Sequence, residues 1–157
     1  MNLKIKKVAL NRRKKAIEIE TKKGLLSLPF SRLPLVPTAA DPIFSMEIDP
    51  ELASMGISYS LKSGKEGTVL VDAFLDYNRD PDYLRIWMLH ELTGKALKLL
   101  KGAGISKHEI TRRLKTSPSQ LARLLDPTNS SKSLDEMVRL ITVLGYRLEW
   151  QIVKEAG

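Results

Sequence analysis

A chain of 157 residues that is 43% apolar, 28% charged and free of cysteine has room for one large core or two small ones. It excludes disulfides, thiolate nucleophiles and cysteine-ligated zinc. The formal charge is +8, and it is uneven: residues 84–157 carry 13 Lys/Arg against 7 Asp/Glu, residues 1–83 carry 13 against 11, and clustered positive charge attracts polyanions.

The N-terminus is basic but has no long apolar run, so it does not read as a secretory signal. No stretch of 18 apolar residues predicts a membrane span, and a cytoplasmic location is expected. Leu3 and Ile5 alternate with Lys4 and Lys6, and Ile17 and Ile19 alternate with Glu18 and Glu20. Between them Asn11–Lys15 (NRRKK) reads as an exposed polar turn, with contact to DNA phosphate as its alternative role. A second turn at Lys22–Gly24 leads into LLSLPF, so the start of the chain predicts an antiparallel meander with one wet face.

Pro34, Pro37 and Pro42 then forbid helix and central strand. Ile43–Ile48 predicts a short extended segment, and Ile57, Tyr59 and Leu61 predict one face of another. After the loop Lys62–Gly67 comes TVLVDAFL, read as strand first. Residues 1–76 are therefore expected to be a small sheet-rich domain, with Asp76–Asp82 as linker and no assigned role.

Tyr83 to Ala103 predicts one long helix. Leu84, Trp87, Leu92, Ala96, Leu99 and Leu100 share a face, Gly94 weakens the middle, and Gly102 and Gly104 end it. Ser106 and Glu109 have capping-box spacing ahead of a short helix Lys107–Leu114. Ser117 and Gln120 repeat it, with Pro118 at the first helical position of a helix Pro118–Leu125. Two short helices joined by a tight turn are the geometry of a helix-turn-helix. Ile105, Ile110, Leu114, Leu121, Leu124 and Leu125 should face inward, leaving Ser119, Gln120 and Arg123 outside. Those side chains suit base edges: Gln to adenine, Arg to guanine, Ser to either. A capped helix N-terminus also suits phosphate.

ISKHEITRRLKTSPSQLARLLD followed by SLDEMVRLITVLGYRLEWQI resembles the Xre/lambda-repressor type of helix-turn-helix, over about residues 84–153. Its ending is similar to small bacterial antitoxin and regulator domains of that type. The resemblance implies a sequence-specific transcriptional regulator that binds double-stranded DNA. It implies a homodimer and, for an antitoxin, a cognate toxin protein as partner. It assigns base reading to Ser119, Gln120 and Arg123, with Thr116 and Ser117 leading into them. Lys107 and His108 match the start of the first helix, and Thr128, Asn129, Ser130 and Lys132 match the loop against the DNA backbone. Ser133 would cap a last helix to Leu144, and Tyr146–Val153 would form a terminal strand. Two departures are Pro118, which removes a reader, and the Arg112–Arg113 pair, one of which would have a partly buried stem. LSLPFSRLPLVP and ISYSLKSGKEGTVLVDAFL resemble a small uncharacterised bacterial domain found ahead of such helices.

The expected fold class is thus α+β: a small antiparallel sheet-rich domain, then an all-α lambda-repressor-like domain (83–157) with a short C-terminal strand. The alternative function is a protein–protein interaction module that keeps the helices without reading DNA. His90 and His108 stand in separate helices; His90-Glu91 opens the zinc pattern H-E-x-x-H, but position 94 is glycine. No catalytic residue, metal or cofactor is expected.

Overall fold

In β1 (Ile5–Asn11), β2 (Ala16–Thr21) and β3 (Gly24–Pro29), alternation sends one set of side chains inward, and the three strands pair antiparallel in that order. Ile17, Ile19 and Leu28 are buried, with Val8, Leu10 and Leu26 packed against them. The apolar spacing lengthens to three residues between Ile5 and Val8, and an irregularity in the β1–β2 register between Ile5 and Lys7 absorbs the extra residue. The same device recurs in β4 (Ile43–Ile48). Ile43 and Met46 are three apart, the register shifts between Ile43 and Ser45, and Phe44 is left 80% exposed.

A second antiparallel sheet joins β4, β5 (Gly56–Leu61) and β6 (Glu66–Leu70). Ile57, Tyr59 and Leu61 all face the core. Tyr59 sits opposite Gly67, and a Cβ there would lie 2.6 Å from the ring carbon that bears the hydroxyl. That hydroxyl donates to the Leu35 carbonyl at 2.9 Å and accepts from the Leu35 amide at 3.0 Å, fixing the proline-rich segment that can form no ladder of its own. After β6 the chain turns directly into α1 (Val71–Tyr77), whose Val71, Phe74 and Leu75 close the core.

Asp80 accepts from the Lys23 ammonium at 2.6 Å and from the Tyr83 amide at 2.9 Å, so residues of the expected linker are tied to the β2–β3 turn. Hydrogen bonding to Lys23 holds the Asp80 carboxyl below the usual carboxylate range.

The helices are α2 (Pro81–Gly102), α3 (Lys107–Leu114), α4 (Pro118–Leu124) and α5 (Leu134–Val143). Their core is Leu89, Ala96, Ile110, Leu121, Leu124, Leu125, Met137, Leu140, Ile141 and Leu144. Trp87, expected among the core-facing residues of its helix, is 51% exposed, and the buried positions are Leu89, Thr93 and Ala96. Leu84, Ile86, Trp87, Met88 and Leu89 are apolar around the first turns, so periodicity did not choose the face. Small Thr93 and Ala96, both 0% exposed, mark it.

The structure, a computed structural model, describes residues 2–155. The chain divides between Leu84 and Arg85 into two compact units. The expected fold class is corrected. The protein is α+β, but two separate three-stranded antiparallel sheets precede the helices, and the all-α lambda-repressor-like arrangement closing on a strand does not fit. Tyr146–Val153 has no strand. A strand needs a partner edge, and in the second unit the described residues form no other strand to offer one.

Candidate nucleic-acid interface

α3 starts where Ser106 accepts the Glu109 amide at 3.1 Å. The expected reciprocal half of that box does not form, because the Glu109 carboxylate turns instead to Arg112 (2.6 Å) and Arg113 (2.8 Å). Those charge-assisted bonds, Arg112 first, pull the Glu109 pKa down to about 2. Both arginines remain exposed, at 66% and 51% of the side chain. The single Glu109 carboxylate balances one of their two positive charges within one turn.

The chain then reverses. Lys115 takes the left-handed conformation (φ 53°, ψ 47°), and the Thr116 amide reaches back to the Thr111 carbonyl at 3.0 Å. That bond spanning the helix end is the Schellman pattern, in which the left-handed residue is usually glycine. Thr116 is half-buried by this reversal. Ser117 caps α4 by accepting the Gln120 amide at 3.2 Å, and its hydroxyl meets that of Ser119 at 3.0 Å. Leu121 and Leu124 anchor the inner side of α4. Ser119, Gln120, Ala122 and Arg123 remain outside, all exposed. Gln120 and Arg123 are three residues apart and share a face. Neither side chain has a partner among the described residues.

The remaining expected contacts divide. Lys107 and His108 are exposed at the start of α3. Thr128 is exposed, but its hydroxyl and amide both serve the Asp126 carboxylate, at 2.8 and 2.9 Å. Asn129 donates its amide to the Arg123 carbonyl at 3.0 Å and accepts from Ser131, so it shapes the loop after α4. The Ser130 carbonyl accepts from the Arg85 guanidinium at 3.2 Å. Lys132 departs furthest from expectation, being 4% exposed. Its ammonium donates to the Leu124 carbonyl (2.9 Å) and the Asp126 carbonyl (2.7 Å), satisfying acceptors left open at the end of α4. Burial pushes its pKa down. Lys132 is a structural cap and is not presented to phosphate.

Sequence reasoning passed over Lys115 as a contact. It is exposed, unpaired among the described residues and held in the turn between the helices. The only hint was a basic residue at a helix end that glycine normally closes. Lys107 at the start of α3, Lys115 in the turn and Arg123 near the end of α4 are thus three exposed cations without a carboxylate partner among the described residues. His90 lies apart, its Nδ1 3.2 Å from the Pro127 carbonyl, and among the described residues no group of acids, histidines or cysteines is arranged to hold a metal. No described helix is long and apolar enough to cross a membrane.

Comparison of the chain with protein-family models, curated proteins and solved structures gives no match.

Proposed function

We propose that this protein is a sequence-specific double-stranded DNA-binding transcriptional regulator of the antitoxin type, working in the cytoplasm as a homodimer and without catalytic activity. The observation that carries the reading is the outer face of α4. Gln120 and Arg123 stand side by side, exposed and unpaired among the described residues, on a helix fixed from beneath by Leu121 and Leu124 and capped at Ser117. An amide and a guanidinium are the side chains that read adenine and guanine edges in the major groove. Lys107 and Lys115 supply phosphate contacts beside them, and a dimer would repeat the set in two half-sites.

Gel-shift titration of genomic fragments at two salt concentrations tests it. Affinity should fall steeply with salt, and Gln120→Ala with Arg123→Ala should abolish preference among fragments while leaving salt-dependent binding. Binding that neither salt nor these side chains alter rejects the reading.

A second reading, an interaction module for a protein such as a cognate toxin, is favoured by the C-terminal segment. Tyr146, Trp150, Ile152 and Val153 are 47%, 57%, 98% and 64% exposed there. Such side chains are enriched at protein interfaces. Trp150→Ala with Ile152→Ser should then abolish capture of the partner without changing DNA affinity.

A further inference from the structure

The strongest positive feature outside α3 and α4 is the tip of the first hairpin. Four consecutive cations, Arg12, Arg13, Lys14 and Lys15, fill the loop between β1 and β2, and all four are exposed. The loop is well built. The Asn11 side chain accepts the Lys14 amide at 3.0 Å, the Lys15 amide reaches the Arg12 carbonyl at 3.3 Å, and Asn11 pairs across the ladder with Ala16. Among the described residues only Lys14 of the four has a carboxylate, Glu18 at 3.3 Å, and the Asn11 amide donates to the same Glu18 oxygen at 2.9 Å. Arg12, Arg13 and Lys15 have no partner among the described residues.

Two further facts separate this tip from an ordinary solvated turn. Lys15 occupies the left-handed region, φ 50°, which glycine or asparagine adopts with less strain. A cation stands where the backbone prefers a different residue. The fold also adds a cation that the run does not contain. Phe30 donates its amide to the Lys15 carbonyl at 2.8 Å, which sets the single 3-10 turn Phe30–Arg32 beside the tip. Arg32, exposed and without a partner among the described residues, closes that 3-10 turn at the same end of the sheet.

We infer that this end of the first sheet is a second, sequence-independent contact for the phosphate backbone of duplex nucleic acid, made by Arg12, Arg13, Lys15 and Arg32. Three of the four are arginines, whose planar forks match phosphate oxygens. The loop itself has no apolar side chain to enter a lipid surface, which is how membrane-surface segments gain affinity. The tip has no neutral hydrogen-bonding side chain to read bases, since Asn11 is spent inside the turn. The inference shares its ligand with the function proposed above, but it names different residues and a different property, affinity without preference.

The test uses the full chain and a short duplex of arbitrary sequence, titrated by fluorescence anisotropy between about 50 and about 200 mM KCl. Arg12→Gln/Arg13→Gln/Lys15→Asn should lower the steepness of log Kd against log salt by about 3, at ~0.9 per lost phosphate contact. Adding Arg32→Gln should lower it by about 0.9 more. Asparagine tolerates the left-handed position, so the melting temperature should be unchanged or higher. If it falls, Arg12→Gln/Arg13→Gln alone should still remove about 2 from the slope.

Lys62→Gln/Lys65→Gln, in the exposed β5–β6 turn, is the control for net charge. An unchanged slope in the hairpin variant, or an equal loss per charge in the control, overturns the inference. So does a hairpin variant that loses binding to phosphatidylserine vesicles but keeps its binding to duplex. The two proposals fail separately. A hairpin effect without any sequence preference in the parent protein sinks base reading by α4 alone. Preference that depends on Gln120 and Arg123 with no hairpin effect sinks the inference alone.

Discussion

Two tight reversals in this chain are each closed by a lysine in the left-handed region, Lys15 between β1 and β2 and Lys115 between α3 and α4. Exposed cations without carboxylate partners among the described residues accompany each: Arg12, Arg13, Lys15 and Arg32 with the first, and with the second Lys115 itself, Lys107 at the start of α3 and Arg123 near the end of α4. What differs is the neutral company. At the hairpin tip the amide of Asn11 is consumed by the turn, whereas on α4 the amide of Gln120 is free beside Arg123. Charge sets how tightly a polyanion is held, and hydrogen-bonding groups aimed at base edges set which sequence is held. On the proposed reading, α4 alone of the two surfaces has side chains able to discriminate.

Substitutions at and beneath both reversals test that contrast. The largest effect is expected beneath the two surfaces. Leu121→Ala under α4 and Leu28→Ala under the first sheet each remove a side chain no more than 2% exposed, and each should cost about 2–5 kcal/mol in urea denaturation. Lys132→Ala should cost about 1–3 kcal/mol, because two carbonyls at the end of α4 lose their donor. It should leave the salt slope of duplex binding unchanged; a slope lowered by a full phosphate contact would show that Lys132 reaches DNA after all.

Smaller and opposite in sign is Lys115→Gly. It relieves the left-handed strain, so it should stabilise by about 1 kcal/mol in thermal melts while lowering the salt slope by ~0.9. Lys15→Gly should behave alike in both respects. A Lys115→Gly protein with unaltered slope would remove the α3–α4 turn from the interface.

The smallest effect is that of Glu109. Its folded pKa, about 2, lies below the ordinary carboxylate value of 4.5, so its contribution to stability is complete above the ordinary value and fades as pH falls toward the folded one. Denaturation midpoints measured across that acid window should fall, and Glu109→Gln should flatten this part of the profile. It should also free Arg112 and Arg113 and steepen the salt dependence of binding.

What could be read from the residues was local. Ser106, Ser117 and Ser133 cap their helices by bonds three residues long, and such bonds are written in adjacent letters. The complete box forms only at Ser133–Glu136; at Ser106 the stronger charged neighbours of Glu109 took its carboxylate. The role of Lys132 was hidden because its acceptors are backbone carbonyls six and eight residues upstream, exposed only by the way the loop folds. The strand expected over Tyr146–Val153 came from the resemblance, and a resemblance in one segment does not supply the partner edge that a ladder needs. Two sheets could not be told from one, since period-2 patterning says which way side chains point and not which strands pair. Arg32 joined the hairpin cations through a hydrogen bond at Phe30 that no motif announces.

Selection from a randomised duplex library, with the parent protein and with the Gln120→Ala/Arg123→Ala variant, decides whether α4 reads sequence. The parent should enrich a two-fold symmetric site containing adenine and guanine at fixed positions in each half. The variant should bind the library with the same salt dependence, less about one phosphate contact's worth of slope, and enrich nothing. Enrichment of the same site by both proteins would contradict the account.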